Sequence, residues 1–286
     1  MPGLPSRLML LALCAAVACG PGGGAQDGGE PSGAVAGDGA RGPTPWTSDG
    51  RWVDLTWSFS SETIYWPTEE DGFRHDTVSF GVTEGGWFYS AFEFSGAEHG
   101  GTHLDAPIHF AEGRNAADEI GLDRLIGPAV VVDVSEAADP DYEVSVADLE
   151  DFESVGGAIP AGSILLIRTG WGERYGDRAS YLGTERTGPE AVSDLHFPGL
   201  GADAAGWLVE NREVAAVGID TPSIDRGQSA TFDSHVILYS ENVPGFENLA
   251  NLEELPSRGA FVIALPMKIE GGSGAPLRAV AWIPAP

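Results

Sequence analysis

Over most of the chain, apolar residues gather in short runs, each bounded by glycine, proline or acidic residues. Runs of four to eight residues rich in Val, Ile, Phe and Trp, bounded in this way, read as strands. Seven segments fit: 52–59, 87–94, 129–134, 164–169, 215–219, 261–265 and 277–282. Two others follow helical spacing. Segment 146–152 comes directly after Ser145, a suitable N-cap. Segment 202–210 sets Ala204 and Leu208, and Ala205 and Val209, four apart after Gly201. Strands outnumber helices, so the pattern predicts one α/β domain with a mixed sheet rather than a doubly wound parallel one.

The first 46 residues lack this pattern. Arg7 precedes an unbroken apolar run at 8–18, which has the length of a signal-peptide core and is too short to span a bilayer. Ala16-Val17-Ala18-Cys19 resembles the lipobox of bacterial lipoproteins, which implies a lipid on Cys19; an ordinary secretory signal cleaved near Ala18 is the alternative. Residues 1–19 are therefore expected to be a signal peptide. Residues 20–46 are mainly Gly, Pro, Ala, Ser and acid, a linker composition unable to bury enough apolar surface to order itself. Such a linker would hold a domain spanning 47–286 on the order of 25–30 Å from its anchor. The protein is expected outside the cytoplasm, secreted or in the periplasm or cell envelope, meeting the membrane only through that lipid.

Charge narrows the range of partners. Forty-three acidic residues against fifteen basic ones give a net charge of −28. That opposes binding to nucleic acid, which needs a basic surface, and docking on anionic lipid. The only cysteines are Cys14 and Cys19, so the body can hold neither a disulfide framework nor a thiolate metal site.

The candidate chemistry lies in His99-Gly-Gly-Thr-His103-Leu-Asp105-Ala-Pro-Ile-His109, which holds three of the chain's six histidines. A lone histidine would read as a satisfied structural one. Three at this spacing around an aspartate point to a divalent metal, because neutral imidazole and carboxylate are ligands for zinc, manganese or iron. Pro107 excludes a continuous helix, so the segment reads as a loop.

This spacing, His-x-Gly-Thr-His-x-Asp-x-Pro-x-His, resembles the signature of the cyclase-like metal-dependent hydrolases, which include bacterial kynurenine formamidase and isatin hydrolase. Leu166-Ile-Arg-Thr-Gly170, Phe197-Pro-Gly-Leu200 and Gly218-Ile-Asp-Thr-Pro-Ser223 match in the same order, as does His235 with Glu247 twelve residues later. The resemblance implies a swivelling β/β/α fold, assembled as a homo-oligomer. It implies metal ligation by His99, His103 and Asp105, and proton transfer by His109. In two-metal members Asp105 would bridge, and His235 and Glu247 would hold the second ion; other members work with one. The cofactor is then one or two manganese or zinc ions.

The expected activity is hydrolysis of an amide C–N bond in a small substrate, such as an aryl formamide or isatin. A bound ion lowers the pKa of its water toward about 7, and His109 would serve as base and then acid. A tethered metal-dependent small-molecule binder without turnover, or a hydrolase of cyclic esters, are the alternatives. Trp66 and Phe88 are candidate substrate contacts, with strand core as the competing reading for each. His196 is a candidate partner for a substrate oxygen, or a structural histidine. Asp220 and Asp225 read as turn caps, Arg168 as a partner for a nearby carboxylate, and His75 as surface.

Overall fold

A computed structural model describes residues 49–69 and 71–285. The expected signal peptide, Cys19 and the linker lie outside the described residues. In chain order the elements are β1 (Gly50–Asp54), β2 (Arg74–Val82), β3 (Phe88–Ser95), β4 (His103–Asp105), α1 (Leu122–Leu125), β5 (Ile126–Asp133), β6 (Glu143–Val144), α2 (Val146–Gly156), β7 (Ile164–Arg168), α3 (Arg178–Leu182), β8 (Gly199–Leu200), α4 (Ala202–Asn211), β9 (Ala216–Ile219), α5 (Asp233–Ser240), β10 (Gly245–Glu247), β11 (Arg258–Pro266) and β12 (Gly274–Pro284).

The mixed sheet is present, and it closes on itself. Strands run β12-β11-β5-β7-β9-β10-β4, and β4 returns to β12, giving a seven-stranded barrel. Neighbours from β5 to β10 are parallel; the remaining pairs are antiparallel. One edge of β12 serves two partners: residues 274–276 pair with β4, and residues 280–284 with β1.

Side-chain alternation sorts the apolar runs into two cores. Ala129 and Val131 of β5, Ile164 and Leu166 of β7 and Ala216 of β9 pack into the barrel with Phe246, Val262 and Leu277. Their neighbours Val130, Val132, Leu165, Ile167, Val217 and Ile219 face outward into a second core. There they meet Leu149 of α2, Ala204 and Leu208 of α4 and Leu238 of α5. Burial on both faces is why β5, β7 and β9 read as continuous apolar runs. Helix α2 begins as expected, with Ser145 and Asp148 forming a capping box.

Two expectations need correcting. The run 52–59 is a strand only to Asp54. There the Asp54 carboxylate accepts the Thr56 amide, and Trp57 donates its amide to Thr102, turning the chain toward the metal loop. The 87–94 strand is not core either. Among the described residues it pairs only with β2, in a two-stranded hairpin, and Phe80, Val82, Trp87, Phe88 and Phe94 are exposed. His75 lies on this hairpin, stacked on Phe92. Among the described residues no helix is long and apolar enough to cross a membrane.

Candidate metal centre and its cavity

The site forms where the barrel closes. Asp105 lies two residues beyond His103 on β4, so both side chains project from one face. Antiparallel pairing sets Glu247 of β10 directly opposite His103, which brings the two side chains together. Helix α5 adds His235 in its first turn and Tyr239 one turn later. The metal loop is thus partly strand, and the expected loop reading is corrected for 103–105: these residues are held on both edges, by β10 and β12.

The inward atoms converge. His99 Nδ1 lies 2.7 Å from Asp105 Oδ1, and His103 Nε2 lies 3.1 Å from the same oxygen. His103 Nε2 is 3.3 Å from Glu247 Oε2. His235 Nε2 is 3.1 Å from Glu247 Oε1 and 3.5 Å from Asp105 Oδ2. Two triads have donor atoms grouped closely enough to hold an ion: His99, His103 and Asp105, and Asp105, His235 and Glu247. Asp105 belongs to both.

Each imidazole is anchored on its outward nitrogen. His99 Nε2 meets Ser273 Oγ at 2.9 Å, and that hydroxyl donates to Glu98. His103 Nδ1 donates to the Gly101 carbonyl at 2.9 Å. Gly101 has φ +56°, a conformation that suits glycine. Gly274 permits the approach of His99: a Cβ there would lie 2.5 Å from His99 Cε1. His235 Nδ1 meets Asp225 Oδ2 at 2.5 Å, and the Tyr239 hydroxyl donates to Asp105 Oδ2 at 3.0 Å.

These anchors let the donor set be tested against a cation. With its outward nitrogen committed to Gly101, His103 presents Nε2 to two carboxylates, yet that buried atom has no hydrogen-bond partner. Buried polar atoms are rarely left so. A divalent ion among these nitrogens and oxygens would satisfy it, so the residues fit a metal. Protonation tells the same story. Burial opposes a charge on His103, but Asp105 and Glu247 overcome it and push its pKa up to about 10. His235 is raised too, by Asp105, Asp225 and Glu247 against its burial. Asp105 and Glu247 are held low despite burial, by the facing imidazoles. The pocket attracts positive charge.

Above the cluster lies a cavity of about 290 Å³. His109 lines it, in a short 3₁₀ turn after β4, its ring stacked 3.9 Å from that of His99. The surrounding protein pushes its pKa down to about 4, withdrawal from water outweighing the pull of Asp105. Trp66, Phe110 and Phe232 supply aromatic walls, with Phe232 6.2 Å from Trp66 and 5.1 Å from Phe110. Phe232 has φ 50°, uncommon for a bulky residue, at the entry to α5.

His99, His103, Asp105, His235, Glu247, His109 and Trp66 therefore meet in one place. Phe88 and His196 do not line the cavity. Phe88 lies on the hairpin and is exposed among the described residues. His196 is tied to Asp141 at 2.9 Å and contacted by Gln228. Tyr239, Ser273 and Glu98 carried no local sequence signal, and Asp225 read as a turn cap. Asp220 instead braces the end of β7, accepting from Thr169 and Gly170. Arg168 pairs with Asp133.

A closed barrel whose seam gathers imidazoles and carboxylates around an open cavity defines a metal-dependent hydrolase architecture, and the comparisons agree. Residues 53–226 match the family model described as "Putative cyclase". The chain belongs to the cyclase family and is a metal-dependent hydrolase related to isatin hydrolase and kynurenine formamidase. It is 38% identical to isatin hydrolase of Roseibium aggregatum over 197 residues, 65% of this chain and 72% of that one. It is 30% identical to kynurenine formamidase of Salinibacter ruber over 228 residues, 80% of this chain and 95% of that one. Isatin hydrolase A of Ralstonia solanacearum has a similar structure: TM-score 0.72, 35% identity, covering 82% of this chain and 92% of that one.

Proposed function

We propose that this protein is an amidohydrolase that opens the C–N bond of a small aromatic substrate. One observation carries the reading: a buried His, Asp and Glu cluster and an unencumbered imidazole, His109, share an aromatic-walled cavity. His99, His103 and Asp105 would hold one divalent ion, and His235 and Glu247, with Asp105 bridging, a second. Imidazole and carboxylate donors suit manganese or zinc. A bound ion supplies a Lewis acid and lowers the pKa of its water toward about 7.

His109, kept neutral by its surroundings, accepts a proton from the attacking water. It returns that proton to the leaving nitrogen as the C–O bond forms and the C–N bond breaks. Trp66, Phe110 and Phe232 place a flat ring against the cluster. Among the described residues no arginine or lysine lines the cavity. That favours an uncharged ring such as isatin over an aryl formamide bearing an amino-acid group.

The test offers isatin, a simple aryl formamide and an amino-acid-bearing formamide to the purified protein, with and without chelator. Turnover should need the ion and be fastest on isatin. His109→Ala should keep its metal and lose roughly 10²–10⁴ in rate. Full turnover by that variant would remove His109 from the mechanism.

Two expectations about the setting belong to the same reading. The chain is exported and lipid-anchored through Cys19, which labelling with a fatty acid and loss of the label in Cys19→Ala would test. It assembles as a homo-oligomer, with the uncovered apolar hairpin as the surface that supports this.

A further inference from the structure

We infer that Asp225 is a positioning residue that sets how tightly the half-site of Asp105, His235 and Glu247 holds a divalent ion. The inference rests on the reading that the cluster binds metal.

Asp225 is 5% exposed and does not line the cavity. Its two oxygens take donors from the start of α5. Oδ2 accepts the His235 amide at 3.1 Å and meets His235 Nδ1 at 2.5 Å. Oδ1 accepts the Ser234 amide and the Ser229 hydroxyl, each at 3.2 Å. The carboxylate therefore fixes the backbone that carries His235 and the rotation of its ring. It claims Nδ1 and leaves Nε2 as the atom facing Glu247 and Asp105.

The other two imidazoles are backed differently. His103 leans on a carbonyl and His99 on a hydroxyl, both neutral. Only His235 has an ionised group bonded directly behind it. A carboxylate at the far nitrogen of a ligating histidine fixes the tautomer and makes the ring a better electron donor. The two half-sites thus differ in their outer support although they share Asp105.

The consequence is selective. In Asp225→Asn the side chain keeps its size but loses its charge, and its amide group can no longer fix the ring as one tautomer. Losing such a partner lowers metal affinity by about 10–100-fold. The measurement is equilibrium dialysis of the full chain against manganese, then zinc, with metal counted per chain. Unfolding is followed in chelator to confirm that the metal-free fold is unchanged. Ser273→Ala, behind His99, is the comparison.

Expected is a 10–100-fold loss at one ion in Asp225→Asn, with any other ion held as in the parent, and with the metal-free chain still folded though less stable, because His235 loses a buried partner. Ser273→Ala should spare the ion that Asp225→Asn weakens. Parent-like binding by Asp225→Asn overturns the inference, and so does equal weakening of two ions. If the parent binds one ion, its survival in Asp225→Asn is equally fatal, while its weakening places it on His235. A parent chain that binds no divalent ion defeats the proposed function itself, and this inference with it.

Discussion

At the barrel seam His103, Asp105, His235 and Glu247 are at most 4% exposed, while on the β2–β3 hairpin Phe80 and Val82 are 69% and 73% exposed. The usual placement of polar and apolar side chains is inverted in both regions. At the seam, carboxylates and imidazoles answer one another within a few ångströms, which is what makes their burial tolerable. On the hairpin Phe94 meets Phe73 and Phe92 stacks on His75, but Phe80 and Val82 stay exposed among the described residues. An isolated two-stranded hairpin is marginal on its own, and an exposed apolar ribbon of this kind is the surface that the proposed self-association would cover. The seam leaves one buried atom, His103 Nε2, for a cation to satisfy, while the hairpin leaves whole side chains exposed.

The comparison can be broken by substitution. The largest effect is expected at the seam: His103→Ala should abolish metal-dependent turnover. It should also destabilise the metal-free protein by about 3–5 kcal/mol, because Asp105 and Glu247 lose a buried partner. Urea unfolding in chelator measures that loss, and a negligible change would mean the pairs contribute little. Leu166→Ala, deep inside the barrel, should follow with a loss of about 2–5 kcal/mol and intact metal ligands.

Acidity sharpens the contrast further. Folded His103 holds its proton up to about 10, whereas an unfolded histidine releases it near 6.5. Its stabilisation is therefore complete below about pH 6.5 and fades as the pH rises toward about 10. The metal-free protein should lose stability across that window. The loaded protein should not, since metal binding displaces the proton. A flat or rising metal-free profile would contradict the pairing. The smallest effect on the fold belongs to the hairpin. Phe80→Glu should alter stability by no more than about 0.5 kcal/mol in dilute solution while shifting the sedimentation profile toward smaller species. If Phe80→Glu unfolds the dilute chain, the ribbon is part of the core after all.

The same contrast explains what could be read in advance. Strands β5, β7 and β9 were legible because both faces are buried, leaving unbroken apolar runs. Helices α2 and α4 were legible from Ser145 and from the spacing of Ala204 and Leu208. The cluster was visible through the rare spacing of its histidines. Strands β4 and β10 were not, being three residues each and held by distant partners. Closure of the barrel was hidden for the same reason, since it joins 103–105 to 274–276. Helix α5 escaped because its apolar residues, Val236, Ile237, Leu238 and Tyr239, are consecutive and form no spaced stripe. Phe88 misled because aromatic strands usually lie in cores, whereas among the described residues its strand pairs only with β2 and leaves it exposed. Asp225 and Ser273 act through contacts that no local pattern marks.

The pairing of β4 with β12 also bears on how the protein comes into being. The strand that completes the barrel begins at Gly274, far along the chain from its partner β4 at His103–Asp105. During synthesis the segment carrying His99 and His103 must wait, without its flanking strand and without Ser273, until β12 has been made. Contacts of such separation form slowly, so a nascent chain that stops before Ser273 should have no working centre.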